Sequence, residues 1–390
     1  MSPDLRYVAV WTAEAGAEYY REQATWTEFA AWLQDTFSND LRLTSLQVYS
    51  GDAEPLYSGI VHAGTGAEWA TPVLPQDQFA AWSTGQFQQG NYLTAIDTCV
   101  INDQFMYTGV VRPGVGAMYM HYATDWDSFN AWVTDSFTNG LQLTAISTCS
   151  FNGSVFYSGV VSAGQGAQWL LPASSMDQFF AWYSDLFSKG FHLTELTTCV
   201  VNGELLVSGV VHEASGAQWL SGVLQSGDFA AQVSEKFQQG FHTSALAIRD
   251  LNDVNARAPK TYAVSLDSFS ISNTRSRHTD TDYVAASLAV GSKPPQSKSK
   301  AMGDLNNGIY NVGFAFDPVS VRDGDALVLT YAIVNSGHSD PGLAEKTLLQ
   351  ASSALAAEAA AKAAAVAGAA IGTALGASIG TAAVPIIGSA

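Results

Sequence analysis

The chain has 390 residues and a net charge of −18, with 47% hydrophobic and only 13% charged residues. Its length accommodates two or three domains, and its hydrophobic content excludes wholesale disorder. The acidic balance excludes nucleic acid as a partner, because phosphate binding needs Lys and Arg to displace counterions. It also excludes general attraction to anionic lipid surfaces, so any membrane contact must be apolar.

The N-terminus, MSPDLRYVAVW, has no basic segment followed by an apolar one. The expectation is a chain without a secretory signal: cytoplasmic synthesis, with non-classical export or membrane association left open. From residue 7 to about 250 the sequence lies over itself at a shift of 50. Phe29, Phe79, Phe129, Phe179 and Phe229 align, as do Phe37, Phe87, Phe137, Phe187 and Phe237. Trp32, Trp82, Trp132 and Trp182 form a third column, and Gly16, Gly66, Gly116, Gly166 and Gly216 a fourth. Five copies of one unit follow.

Within each copy, DQFAAWSTGQFQQG-like segments put Phe79, Trp82 and Phe87 on one helical face, read as core. Thr25 with Glu28 and Ser175 with Gln178 form capping boxes, and Asp125 caps the third copy. Glycine at 90, 140, 190 and 240 suits the position just past a helix; Asp40 is the poorer substitute. Two β-rich runs then flank IND, FNG or VNG, the signature of a tight hairpin. A GxGA turn leads into a short strand carrying Tyr19, Trp69, Tyr119, Trp169 or Trp219. The unit is strand, helix, hairpin. The chain starts on the second hairpin strand and the fifth copy ends on the first. Pairing the two would close a ring and remove two edges; an open saddle is the alternative.

The pattern RYVAVW…G…Y…F…LRLTSLQVY resembles the bacterial tandem repeat that also forms the N-terminal domain of fungal polyglycine hydrolases. The likeness covers residues 7 to 250 and implies a repeat domain, not an activity. About 140 residues follow, too few for the serine-hydrolase domain of that family.

Some columns are candidates for function. Tyr19, Trp69, Tyr119, Trp169 and Trp219 are expected to plug the core between units; a ring of ligand-stacking platforms is the other reading. Two variable columns are expected to be exposed: Thr12, His62, Arg112, Ser162 and His212, and Arg42, Tyr92, Gln142, His192 and His242. Their histidines lack the spacing of a metal site. Cys99, Cys149 and Cys199 occupy one column and read as buried free thiols.

Residues 261 to 335 read as short strands with turn signals between them, a β-sandwich. Asp280, Asp282, Asp304, Asn306, Asp323 and Asp325 are candidate oxygen ligands for Ca²⁺, with Arg275 and Arg277 as competing partners for the acids and His278 beside them. Ser297 and Lys300 match S-x-x-K but fall in a Pro/Ser/Lys segment rather than at a helix start. From Pro341 the chain is Ala-rich and helix-favouring. No charge follows Lys362. Gly368, Gly372, Gly376 and Gly380 drift by only about 40° per step and form a stripe that lets another backbone approach closely. Pro385 is expected to end or kink that helix.

The sequence thus predicts an α+β chain. A five-repeat domain (1–255) of 50-residue strand–helix–hairpin units, closed ring or open saddle, precedes a β-sandwich (256–340) and an Ala/Gly-rich helical tail (341–390). It predicts a non-enzymatic binding and assembly protein whose tail makes homo-oligomers or enters membrane, in the manner of a membrane-active effector or toxin. The alternatives are a soluble lectin-like protein that binds glycan, and a hydrolase accessory module. A glycan or protein receptor is the expected partner. No cofactor is expected beyond the candidate Ca²⁺.

Overall fold

Local signals set the repeat. Thr25 accepts from the N–H of Glu28 and the Glu28 side chain returns to the Thr25 N–H, so the expected capping box opens helix α1 (Trp26–Ser38). Asp125 and Ser175 each cap from one side only. Past the helices, Gly90, Gly140, Gly190 and Gly240 take φ of +77° to +87°, and Asp40 takes +56°. The hairpin turns place Asn102–Asp103, Asn152–Gly153 and Asn202–Gly203 at positive φ, as a two-residue turn of this hand requires.

The computed structural model describes residues 4–50, 54–253, 258–272, 281–291, 293–322, 325–336 and 384–386, with Lys346, Gln350, Ala354 and Glu358. The chain divides into two units, Met1–Ala258 and Pro259–Ala390. The first runs β1 (Leu5–Ala13), β2 (Glu18–Ala24), α1, β3 (Leu41–Tyr49), β4 (Leu56–Ala63), β5 (Trp69–Ala70), β6 (Leu74–Pro75), α2 (Gln76–Gln88), β7 (Asn91–Ile101) and β8 (Gln104–Pro113). It continues with β9 (Met118–Thr124), α3 (Trp126–Thr138), β10 (Leu141–Phe151), β11 (Ser154–Ala163), β12 (Gln168–Ser174) and α4 (Met176–Phe187). It ends with β13 (Phe191–Val201), β14 (Glu204–Glu213), β15 (Gln218–Leu220), α5 (Ser226–Gln238) and β16 (Phe241–Asp250).

Each repeat keeps its own small antiparallel sheet, and among the described residues no sheet closes on itself. The second hairpin strand lies in the middle, between the first and the leading strand: β2-β4-β3, β9-β11-β10 and β12-β14-β13. In the fifth sheet, β15-β1-β16, the middle strand comes from the start of the chain. Val8 is the partner of Ala247, the pairing that the open arrangement would lack. The fifth sheet also reproduces the local irregularity of the others. Thr44, Thr94, Thr144 and Thr194 each sit at a register shift and donate to the carbonyl of Ile60, Val110, Val160 or Val210. Ser244 does the same to Val10 of β1 at 3.3 Å. β3 lies against β7, β7 against β10, β10 against β13, β13 against β16, and β16 against β3.

The Phe29 column is fully buried in all five units. It packs on the hairpin beneath each helix, with Tyr57 and Tyr157 stacked on Phe29 and Phe129 at 5.6 Å. The Phe37 column does not follow it inward. Phe37, Phe87, Phe137 and Phe237 are 38–46% exposed.

The second unit comprises β17 (Lys260–Tyr262), β18 (Ser265–Ile271), β19 (Thr281–Val290), β20 (Gln296–Gly303), β21 (Gly308–Ala315), β22 (Val319–Val321), β23 (Leu327–Ser336) and β24 (Val384–Ile386). The sheets are β20-β19-β23-β24, β18-β21 and β17-β22. Val284, Ala286, Leu288 and Val290, on one face of β19, share a core with Val312 and Phe314 of β21. Pro385 lies in β24, opposite Val328. This corrects the expectation of a helix end there: a residue without N–H is tolerated on an edge strand. Lys346, Gln350, Ala354 and Glu358 are helical and exposed.

Candidate functional site

The two variable columns are buried or half-buried, a correction to the expectation of exposure, and several members bridge neighbouring repeats. Arg42 Nε donates to Gly66 O at 2.7 Å, Tyr92 Oη to Gly116 O at 2.7 Å, and Gln142 Nε2 to Gly166 O at 3.0 Å. His242 Nε2 meets Gly16 O at 2.9 Å. Arg, Tyr, Gln and His differ in shape and charge but share a terminal donor. The glycine carbonyl of the next repeat is what they have in common. A second strap runs beside it. Leu43 N donates to Glu68, Leu143 N to Gln168, Leu193 N to Gln218, and Thr243 N to Glu18. The other variable column braces these acceptors: Arg112 pairs with Glu68 at 2.7 Å and His62 with Glu18 at 2.9 Å. Burial alone would raise the Glu18 carboxyl, but His62 and the Thr243 N–H hold it below the usual carboxylate range.

A third set lies deeper. Val48 N donates to Asp97 Oδ2, Thr98 N to Ser147 Oγ, Thr148 N to Thr197 Oγ1, and Ile248 N to Gln47 Oε1. The remaining seam offers Ala247 in that position, and Thr198 Oγ1 is buried there without a hydrogen-bond partner among the described residues. Arg249, in the column of the three cysteines, spans the interior. Its Nη2 reaches Asp97 Oδ1 at 2.9 Å and Thr148 O at 3.1 Å. Its Nη1 reaches Gln47 Oε1 at 3.1 Å.

Cys99, Cys149 and Cys199 are buried and free. Together with Tyr49 and Arg249 they line a cavity of about 20 Å³, room for one water. Burial pushes all three thiols up, Cys199 to about 12. A thiol held protonated is a poor nucleophile and a poor metal ligand, so the column is structural.

The rim is different. Tyr19, Trp69, Tyr119, Trp169 and Trp219 are 44–58% exposed, so the expectation that they plug the core is overturned. Each sits at the same register on a leading strand, opposite Val61, Val111, Val161, Val211 or Trp11. In each sheet that strand is hydrogen-bonded on one side only, to the middle strand. The rings are already used as platforms within the chain. Lys236 Nζ stands 3.9 Å over the Trp219 ring, and the Arg42 guanidinium 3.8 Å over Phe37. Between α1 and β5 a groove of about 300 Å³ opens, lined by Leu33, Gln34, Phe37, Glu68, Trp69 and Ala70.

Among the described residues the other sequence candidates do not assemble into a site. Asp280 and Asp323 lie outside the described residues, as do Arg275, Arg277 and His278. Asp282 is buried near the start of β19, where it accepts from Leu305 N. Asp325 faces Gly291, just past the far end of the same strand. Nine residue steps of strand, roughly 30 Å, separate the two, so Asp282 and Asp325 do not share one ion. Asp304 and Asn306 lie near Asp282, yet no cluster of three His, Cys, Asp or Glu suited to a metal occurs among the described residues. Ser297 and Lys300 lie on β20. Ser297 pairs with Ser287, and Lys300 Nζ reaches Val312 O. Residues three apart on a strand face opposite sides, which excludes a Ser–Lys dyad. Gly368, Gly372, Gly376 and Gly380 lie outside the described residues.

Five sheets of one pattern, joined by equivalent straps, define a tandem-repeat protein. Residues 16–63 match the family model described as polyglycine hydrolase-like, structural repeat. The matched segment is one period of the repeat, from the Gly16 turn through the end of β4, in accord with the resemblance seen in the sequence. No curated protein matches the chain.

Proposed function

We propose that the first unit closes into a five-membered ring and serves as a binding module, with its rim aromatics as stacking platforms for a glycan. The observation that carries this reading is the Trp69 column. Five large rings held at the same register and about half exposed lose hydrophobic burial that a core position would give them. Aromatic faces in such positions suit the C–H face of a sugar ring, while flanking amides suit its hydroxyls. Titration of the protein with neutral oligosaccharides, followed by tryptophan fluorescence and calorimetry, tests it. Binding weakened at least tenfold by substituting the rim column supports the reading; binding unaffected by all five substitutions refutes it.

A second reading concerns the remainder of the chain: a β-sandwich followed by an assembly tail. Gly368, Gly372, Gly376 and Gly380, spaced by four in a segment without charge after Lys362, support a helix that packs against a second copy or enters a bilayer. Native mass and liposome flotation, with and without residues 351–390, test it. An unchanged mass together with unchanged flotation refutes it.

A further inference from the structure

The five rim positions are not equivalent, and the difference lies one residue beyond the aromatic. Position 70 holds Ala, where the other leading strands hold Tyr20, Met120, Leu170 and Leu220. All five share one register, opposite Ile60, Val110, Val160, Val210 or Val10. Met120, Leu170 and Leu220 pack onto the core of the preceding repeat, as Ala70 does with its single methyl group, and Tyr20 packs edge-on against Phe229 at 5.7 Å. Ala70 presents the smallest side chain of the five there, and it lines the groove between α1 and β5. Across the α4 seam the equivalent of Leu33 is Tyr183, which is buried and donates to Gln218 at 3.0 Å. That side chain fills from the helix side what Ala70 leaves open from the strand side.

The chemistry of the groove selects its occupant. Trp69 and Phe37 offer ring surface on two sides, and Gln34 offers an exposed amide at the rim. Glu68 is the one lining group that ionises. Its side chain is 8% exposed and its charge is matched by Arg112 at 2.7 Å. Behind Phe37 the Arg42 guanidinium, 3.8 Å from the ring, is held by the carbonyls of Gly66, Phe37 and Leu41. A neutral molecule with one apolar face and one polar edge matches the ring walls and the exposed amide. A volume of about 300 Å³ is at the small end of ligand sites, enough for one ring.

On the glycan reading above, we infer that the groove between α1 and β5 is the single working subsite of the rim and takes one neutral pyranose residue, admitted by Ala70. The test is calorimetric titration of the full chain with cellohexaose, laminarihexaose, mannohexaose and chitohexaose, with decaproline as the competing class. At least one oligosaccharide should bind with a stoichiometry near one per chain. Ala70→Leu and Trp69→Ala should each weaken binding at least tenfold with little change in melting temperature. Tyr119→Ala and Trp219→Ala should leave it within twofold. Leu170→Ala should raise the stoichiometry toward two, a gain that misfolding cannot mimic. A stoichiometry near five, or binding indifferent to Ala70→Leu, overturns the single subsite while the stacking rim stands. Binding of decaproline alone overturns the pyranose, and binding of no probe overturns both readings.

Discussion

Glu195 stands in a column whose other members are Ser45, Ala95, Ala145 and Ala245. It faces the seam with the preceding repeat, and burial pushes its carboxyl up to about 8 although the Ile146 N–H stabilises the anion. Below about pH 4.5 the group is protonated whether folded or not, and there is no penalty. As pH rises from there toward 8 the unfolded chain ionises and the native one does not, so stability falls; above about 8 the loss is constant. Glu195→Ala should therefore raise the melting temperature most at pH 8 and hardly at pH 4, with a gain on the order of 2–4 kcal/mol at the higher pH. Urea denaturation at both pH values measures it; an equal effect at each would mean that Glu195 titrates normally. Arg249 is the opposite case, a buried charge that is paired. Arg249→Met leaves Asp97 buried without its guanidinium and should cost about 3–5 kcal/mol. Adding Asp97→Asn should recover part of that loss, because the amide oxygen can still accept from Val48 N. If the double variant is no more stable than the single one, the ion pair is not the source of the cost.

At the scale of the element, the repeat was largely legible. Caps, turn dipeptides and the 50-residue period are local signals, and the helices and hairpins fall where those signals put them. The missed features depend on neighbours 24 to 226 positions away. Variation in the Arg42 column suggested exposure, because sequence comparison sees side-chain type and not the donor that four of the types place on a glycine carbonyl. The Trp69 column suggested burial, because aromatic content says nothing about whether a strand has a layer above it. Arg249 gave no hint of Asp97, since no periodicity links a fifth-copy residue to a second-copy one. Where local signals do fail, the element shows a small and specific weakness. Asp40 takes φ +56° where the other four copies use glycine, and a Cβ there is strained by roughly 1 kcal/mol. In the equivalent positions a Cβ would meet no heavy atom within 4 Å, so the strain is conformational. Asp40→Gly should stabilise the first repeat by about 0.5–1 kcal/mol, read as a shift in the urea midpoint without a change in slope. No shift would place the strain elsewhere.

At the scale of the molecule, everything rests on whether β1 is a working member of the fifth repeat or a strand merely laid against it. Its geometry is that of a member. It lies between β15 and β16, Ser244 pins its irregularity as Thr44 pins that of the first repeat, and Tyr7 stacks on Phe229 at 4.9 Å. The straps at this seam, Thr243 N to Glu18 and His242 to Gly16 O, are those of the covalently continuous seams. The seam between the fourth and fifth repeats, in contrast, lacks one deep bond, because Ala247 offers no acceptor. A linear array would open first at its ends, and β1 would fray. A closed one has no end, and opening begins at the weakest seam. Hydrogen exchange distinguishes the two. The amides of Val8 and Val10 should exchange as slowly as those of Val110 and Val160. Ala247→Ser, which supplies the missing acceptor, should slow exchange in β13 and β16 more than in β7. Fast exchange confined to β1, unaffected by Ala247→Ser, would show that the N-terminal strand does not close the array.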